Sequence, residues 1–185
     1  TQWSSSAASD VYKRQHYQLS KSLCEKYGAY VEQSGNTIKL RPYDLSIPSR
    51  VLIPGDASMI GFAVLFSVLH KCVVNLSNCP NENDFLGCEI LREKANLIGI
   101  SWDDNAITPS HNGTFSTYDL TDCNDLITPM AITLAVSNGG ILSGISHTRY
   151  KESNRLEKTI QLMNDFGIEA ITVSYTHLRA HETIA

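Results

Sequence analysis

Two basic side chains four residues apart give the first indication of chemistry in this sequence of 185 residues. The apolar residues that follow predict a helix beginning at about Lys151, which would place Lys151 and Arg155 on one helical face, one turn apart. Cations in a first helical turn oppose the macrodipole, which favours anions at that end. The pattern is therefore typical of an anion site held by backbone N–H groups and both side chains. A solvated charged turn, in which Glu152 offsets the cations, is an equally good interpretation of these residues alone.

The two chain ends carry a pattern that predicts non-native sequence. Residues 10–15 can be encoded as GAT GTG TAT AAG AGA CAG, and the reverse complement of that string, in a shifted frame, encodes Val-Ser-Tyr-Thr-His, which is residues 173–177. Two protein termini have no biological reason to be complementary as nucleic acid. We therefore expect residues 1–15 and 173–185 to be translated sequencing-adapter ends, and residues 16–172 to be an internal window of a longer protein.

Composition excludes several classes of protein. The formal net charge is −4, so a basic nucleic-acid footprint is not supported. The five cysteines form no C-x-x-C pair and have no histidine at zinc spacing, which predicts free thiols in a reducing compartment rather than a metal or disulfide framework. No apolar run reaches the length of a membrane span. We expect a soluble cytoplasmic protein that binds no metal, no nucleic acid and no membrane.

The helices and strands follow an internal period of about 70 residues. Predicted helices end at residues 28, 96 and 167, and aspartates cap two almost wholly apolar helices at Asp56 and Asp125. Each repeat has the predicted order β-α-β-α-β-β, which places the protein in the α/β (α+β) class. The predicted strands are 29–32 and 37–40, which form a hairpin, a buried strand at 50–53, and strands at 73–76, 97–102, 106–108, 117–120 and 141–145.

Three segments together resemble the 5-enolpyruvylshikimate-3-phosphate synthase family. They are the strand-to-helix turn 53–58 (IPGDAS), the segment 119–126 (DLTDCNDL) and the signature 151–156 (KESNRL), in the same order and at similar spacing. The resemblance covers essentially all of residues 16–172. It implies an incomplete inside-out α/β barrel with two lobes, in which 16–53 ends the first lobe and 54–172 begins the second, with about one and a half repeats.

The resemblance also implies an activity: transfer of the enolpyruvyl group of phosphoenolpyruvate to the 5-hydroxyl of shikimate 3-phosphate, with release of phosphate. By carry-over, Asp125 is the base for that hydroxyl. Lys151 lies near both substrates and assists proton transfer at the enol methylene. Arg155 binds phosphoenolpyruvate, Glu152 is a lesser candidate for proton transfer, and His147 is a lesser candidate for substrate contact. Members of the family need no metal or organic cofactor, and we expect a monomer when the chain is full length.

Two residues depart from the family pattern and keep other interpretations open. Asn154 replaces the aspartate usual before Arg155, and Asn124 stands where proline is frequent before Asp125. A diverged, non-catalytic paralogue that binds an anion is one alternative. The sister transferase that acts on UDP-N-acetylglucosamine is another, although the signature at 151–156 argues against it. We expect the window to hold only part of an active site between two lobes, and to have no turnover alone.

Overall fold

The computed structural model describes residues 20–35, 37–44, 46–51, 53, 55–79, 88–150, 153–173 and 177–181. The chain divides into two compact units, residues 1–53 and residues 54–185. The assignment of these units to two lobes stays a prediction.

The described part of the first unit is a helix followed by a hairpin. Residues 20–26 are helical (α1), and the chain leaves this helix through Gly28, whose φ of 98° is accessible to glycine without a steric penalty. Strands β1 (Val31–Ser34) and β2 (Thr37–Leu40) pair antiparallel, with Ser34 opposite Thr37. The predicted helix end and the predicted hairpin are both confirmed.

The second unit begins with a repeat built on a capped apolar helix. Asp56 accepts hydrogen bonds from the Ser58 backbone N–H at 2.9 Å and from the Ser58 hydroxyl at 2.7 Å, so it caps the helix as predicted. A three-stranded antiparallel sheet with the order β3-β5-β4 belongs to this repeat. The elements in chain order are α2 (Ala57–His70), β3 (Val74–Asn75), α3 (Cys88–Glu93), α4 (Ala95–Ile98), β4 (Ile100–Asp103) and β5 (Ala106–Pro109).

A second repeat follows with one strand more. Its sheet has the order β6-β7-β9-β8, in which β6 and β7 are parallel and the other pairs are antiparallel. The elements are β6 (Ser116–Asp119), α5 (Ile127–Val136), β7 (Gly140–Ser143), α6 (Arg155–Asp165), β8 (Glu169–Val173) and β9 (His177–His181). Short 3-10 turns, Asn124–Leu126 and Ser146–Tyr150, precede α5 and α6. The mixed α/β class predicted from the sequence is confirmed.

The two repeats share a topology, because β3-β5-β4 and β7-β9-β8 have the same strand order and orientations. One predicted landmark of the repeat is wrong: the helix does not end at Asn96 but continues to Ile98. Gly99, with φ 93°, then donates its N–H to the carbonyls of Ala95 and Asn96. Glycine tolerates this left-handed conformation better than asparagine does, so the cap moves to Gly99. Gly28, Gly99 and Gly167 all have positive φ, and the period of about 70 residues holds.

The core of the second unit continues from one repeat into the next where α2 packs on α5. A Cβ at Gly61 of α2 would lie 2.8 Å from Leu126 Cδ2 and 2.9 Å from Pro129 Cγ, so the two helices approach closely there. The largest fully buried side chains come from both repeats: Tyr118, Leu91, Ile98, Ile100, Ile107, Leu120, Leu126, Ile127, Met130, Leu134, Leu142 and Ile145. The other face of α2 is apolar and exposed, with Met59, Phe62, Phe66 and Leu69 between 46% and 59% accessible.

Three predictions about elements are wrong. Residues 50, 51 and 53 form no strand, and Val51 and Ile53 are 45% and 77% exposed. An apolar run becomes a buried strand only beside a partner strand, and among the described residues none pairs with residues 50, 51 and 53. Leu97 and Ile98 are helical rather than extended. Helix α6 begins at Arg155, with Asn154 as its N-cap, and not at Lys151, which lies outside the described residues.

The end of the described chain is part of the sheet. Val173 closes β8, and β9 lies between β7 and β8 with Leu178 fully buried. This strand takes the place in the second repeat that β5 takes in the first. The expectation that residues 173–185 are non-native stays a prediction. No helix among the residues that the structure describes has the length and hydropathy of a membrane span.

Candidate active site

The candidate site lies beyond the carboxyl ends of two parallel strands. Strand β6 ends at Asp119 and β7 at Ser143, and each leads through a 3-10 turn into a helix. Because the two strands are parallel and adjacent, the loops that follow them meet at one edge of the sheet. Asp125 belongs to the first of these loops and Arg155 begins the helix after the second.

The two loops approach so closely that one position requires glycine. Asp119 Oδ1 accepts hydrogen bonds from the Thr121 N–H at 2.9 Å and from the Thr121 hydroxyl at 2.6 Å, which fixes the turn after β6. Gly144, after β7, has φ 70°, and a Cβ there would collide with Thr121 Oγ1 and Asp119 Oδ1. The start of the loop that leads to Asp125 therefore lies directly against the end of β7.

Asp125 and Arg155 form an ion pair across these two loops. Arg155 Nη1 donates a hydrogen bond to Asp125 Oδ1, and each side chain is 32% exposed. The N-cap interpretation of Asp125 is wrong, because Asp125 lies inside the turn Asn124–Leu126 and the helix-cap positions are Cys123 and Leu126. Its carboxylate thus interacts with a residue 30 positions along the chain.

About one helical turn beyond the ion pair, a second polar contact joins α5 to α6. The hydroxyls of Thr128 on α5 and Thr159 on α6 lie 2.9 Å apart, and Thr159 is 2% exposed. Leu156, the second residue of α6, is 1% exposed. These contacts fix the distance between α5, which follows the turn that carries Asp125, and α6, which begins at Arg155.

The ion pair lines a groove of about 440 Å³ formed by α2, α5 and α6. Its volume is in the usual range for a small-molecule site. One part of the lining is polar and the other is apolar. The described residues that line it are Ser58, Met59, Phe62, Asp125, Thr128, Ser153, Arg155, Lys158, Thr159 and Leu162.

Lys158 is a second cation in this groove that the sequence reasoning missed. Arg155, Lys158, Thr159 and Leu162 recur at the spacing of one helical face, and that spacing was the available signal. Lys158 Nζ donates to Gln161 Oε1 at 3.1 Å, so its contact on α6 is a neutral amide. Two cations and one carboxylate among the described lining residues favour an anionic ligand.

Asn154, the departure from the family pattern, caps α6. Its Oδ1 accepts from the Glu157 N–H at 3.2 Å, and its Nδ2 donates to Glu157 Oε2 at 3.0 Å. Asparagine caps helices as well as aspartate does, so the replacement is compatible with the fold. Together with Asn154 and Arg149, Glu157 lines a different cavity, of about 410 Å³.

Burial makes Cys123 a poor nucleophile. Desolvation, together with the nearby carboxylates of Asp122, Asp119 and Asp125, raises the pKa of the Cys123 thiol to about 12. The thiolate is the nucleophilic form, so this thiol is a weak nucleophile at neutral pH. All five cysteines are free thiols.

The structure brings together only part of the predicted site. Asp125 and Arg155 meet in the groove. His147 lies half-buried in the turn Ser146–Tyr150 and is not among the described residues that line the groove. Lys151 and Glu152 lie outside the described residues. Within the described ranges, no three His, Cys, Asp or Glu side chains are grouped as a metal site.

Known proteins resemble this chain over most of its length. It is 25% identical over 172 residues to a protein of Caldivirga maquilingensis and 29% identical over 160 residues to one of Dehalococcoides mccartyi, both called 3-phosphoshikimate 1-carboxyvinyltransferase. The alignments cover 86% and 83% of this chain but only 39% and 37% of the relatives, so the chain spans less than half of their length. A profile of one family matches residues 8–181. Because that match covers nearly the whole sequence, the chain belongs to the EPSP synthase (3-phosphoshikimate 1-carboxyvinyltransferase) family.

Proposed function

We propose that this chain is part of an enzyme that transfers the enolpyruvyl group of phosphoenolpyruvate to the 5-hydroxyl of shikimate 3-phosphate. The observation that carries the proposal is the pairing of Asp125 with Arg155 in one groove at the carboxyl ends of β6 and β7. The family and the names of the relatives support the same reaction. Both substrates are anionic, which suits a groove with two cations.

The side chains divide the reaction between binding and proton transfer. Arg155 binds the carboxylate or phosphate of phosphoenolpyruvate, because a guanidinium matches either group with two parallel N–H donors. Asp125 takes the proton of the acceptor hydroxyl as its oxygen bonds to the enol carbon. Lys151 assists the transfer of a proton to the methylene carbon of phosphoenolpyruvate. It also assists the later removal of a proton from that carbon, when phosphate leaves. Glu152 and His147 are lesser candidates for proton transfer and for substrate contact.

The architecture proposed for the whole protein is a two-lobed inside-out α/β barrel. The shared topology of the two repeats supports this architecture, with residues 16–53 in the first lobe and 54–172 in the second. The free thiols fit a reducing compartment such as the cytoplasm. We expect the full-length protein to be a monomer, and residues 1–15 and 173–185 to be adapter-derived.

The test is phosphate release from phosphoenolpyruvate and shikimate 3-phosphate by a protein that extends this chain to the length of its relatives. We expect Asp125→Asn to lower kcat by about 10²–10⁴-fold, the usual contribution of a general base. Asp122→Asn is the matched control, because Asp122 is exposed in the same loop, and it should retain activity.

Three results would contradict the proposal. Unchanged activity in Asp125→Asn would exclude the base assignment. Phosphate release with UDP-N-acetylglucosamine but not with shikimate 3-phosphate would show the sister reaction. Binding without any turnover would show a non-catalytic paralogue.

This chain by itself should release no phosphate, and appreciable release would overturn the expectation that it holds only part of the site.

A further inference from the structure

The two side chains to which separate tasks are assigned contact each other. Arg155 Nη1 donates to Asp125 Oδ1, so the proposed anion-binding group is bonded to the proposed base. We propose that Asp125 is the resident counter-ion of Arg155, and that the anionic group of phosphoenolpyruvate displaces it. When Arg155 turns to the substrate anion, the Asp125 carboxylate loses the hydrogen bond that Arg155 donates to it. This inference rests on the proposed function.

The exposure of the pair allows such an exchange. Each side chain is 32% exposed, and both line the groove of about 440 Å³ that a small anion can enter. Ion pairs that solvent reaches are weak, so a second anion can compete for the guanidinium. A carboxylate or phosphate of the substrate presents oxygens to Arg155 in the same way as Asp125 does.

The surrounding contacts confine the exchange to the side chains. The Thr128 and Thr159 hydroxyls, 2.9 Å apart, join α5 to α6 independently of the ion pair. Asn154 caps α6 through the Glu157 N–H, which fixes the backbone next to Arg155. The Arg155 side chain can therefore turn towards a ligand while the two helices keep their positions.

The neighbouring carboxylate does not substitute for Asp125. Glu157 lies in the same first turn of α6, but its Oε2 accepts from Asn154 Nδ2 at 3.0 Å. Glu157 also lines the other cavity and not the groove. Asp125 is thus the acidic residue among the described lining residues, and it is the one that an incoming anion replaces.

The pairing links base strength to substrate binding. A carboxylate that accepts a hydrogen bond from a guanidinium holds its charge more firmly, and it is a weaker proton acceptor than an unpaired one. Loss of this hydrogen bond when a substrate anion occupies Arg155 therefore makes Asp125 a stronger proton acceptor.

The experiment follows the Arg155 guanidinium by NMR in the ¹⁵N-labelled chain, with the resonance assigned by its loss in Arg155→Lys. Adding phosphoenolpyruvate, and separately inorganic phosphate, should shift this resonance. Asp125→Asn should shift it before any ligand is added, and it should bind phosphoenolpyruvate about three- to tenfold more tightly because the competing charge is absent. Asp122→Asn should bind within about twofold of the unchanged chain, since one unit of screened charge acts weakly at a distance.

Opposite results would overturn the inference. If Asp125→Asn binds phosphoenolpyruvate more weakly, Asp125 positions Arg155 rather than competing for it. An Arg155 resonance that stays unchanged at saturating ligand, or no binding by Asp125→Asn, excludes the exchange. Thermal unfolding checks that each variant is folded. Because inorganic phosphate reports the exchange without turnover, failure of the enolpyruvyl reaction in the extended protein is distinguishable from failure of this inference.

Discussion

The two repeats carry an aspartate at equivalent positions, but the two carboxylates make different contacts. Asp56 and Asp125 stand 69 residues apart, at the entrances of the equivalent helices α2 and α5. Asp56 caps its own helix through Ser58, whereas Asp125 bonds to Arg155 on another helix. The turn Asn124–Leu126 delays the start of α5, so the carboxylate sits inside a turn instead of at the cap. Equivalent positions in the two repeats thus differ: Asp56 caps a helix, and Asp125 lines the groove of the candidate site.

The two repeats also differ at the position of Arg155, the residue that pairs with Asp125. One period before Arg155, the first repeat has the residues Asp84, Phe85, Leu86, Gly87 and Cys88, which include no cation. A carboxylate at Asp56 has no corresponding arginine with which to pair. The site therefore arises from two changes that coincide in the second repeat: a delayed helix start and a basic residue at the start of α6.

The largest expected effect lies where the repeats join. Gly61→Val inserts a branched side chain where a Cβ already lies 2.8 Å from Leu126 and 2.9 Å from Pro129. Overpacking of this kind should lower the free energy of unfolding by about 3 kcal/mol, measured by urea denaturation. Met59→Val, at a 59% exposed position of the same helix, should change it by less than about 1 kcal/mol. Equal effects would show that the helices do not pack through Gly61.

An intermediate effect should distinguish the equivalent helix ends. Gly99 and Gly167 both have positive φ, but a Cβ at Gly99 would lie 3.2 Å from the Ser110 carbonyl oxygen, whereas none lies within 4 Å at Gly167. Both alanine variants should lose about 1 kcal/mol from backbone strain. Gly99→Ala should lose roughly 1 kcal/mol more through the close contact. A larger loss in Gly167→Ala would reverse the comparison.

The smallest expected effects separate the two aspartates by stability. Asp56→Ala removes a cap and should lower the free energy of unfolding by about 1 kcal/mol. Asp125→Ala removes a third-exposed ion pair and should change it by less than about 0.5 kcal/mol, because solvent screens such pairs. Asp125→Ala should change the affinity for phosphoenolpyruvate more than Asp56→Ala does. If Asp125→Ala is the less stable variant, its carboxylate has a structural role like that of Asp56.

Local sequence predicted what local interactions determine. The cap Asp56 and a continuous apolar run gave α2 its bounds, and Gly28 and Gly167 marked helix ends because few other residues adopt positive φ. The helix start at Lys151 was wrong because the capping residue is Asn154, with Glu157 three residues later, a pattern the sequence contained. Here a capping signal outweighed the apolar periodicity.

Contacts between distant residues were the ones that the sequence could not supply. Residues 50–53 looked like a buried strand, but an apolar run does not state whether a partner strand lies beside it. The period of about 70 residues likewise placed Asp125 and Arg155 in one repeat, but it could not show that their side chains form an ion pair. Lys158 lies outside the signature 151–156, and only the spacing along one face of α6 connects it with Arg155.

The raised pKa of the Cys123 thiol lowers its reactivity towards oxidants and alkylating reagents. Peroxides and alkylating reagents attack thiolates, and a thiol with a pKa of about 12 is almost entirely protonated at neutral pH. The Cys123 sulfur, two residues from the proposed base, should therefore resist oxidation to sulfenic acid. Damage by such reagents should begin at the partly exposed cysteines Cys24, Cys72 and Cys79, which leaves the loop that carries Asp125 intact.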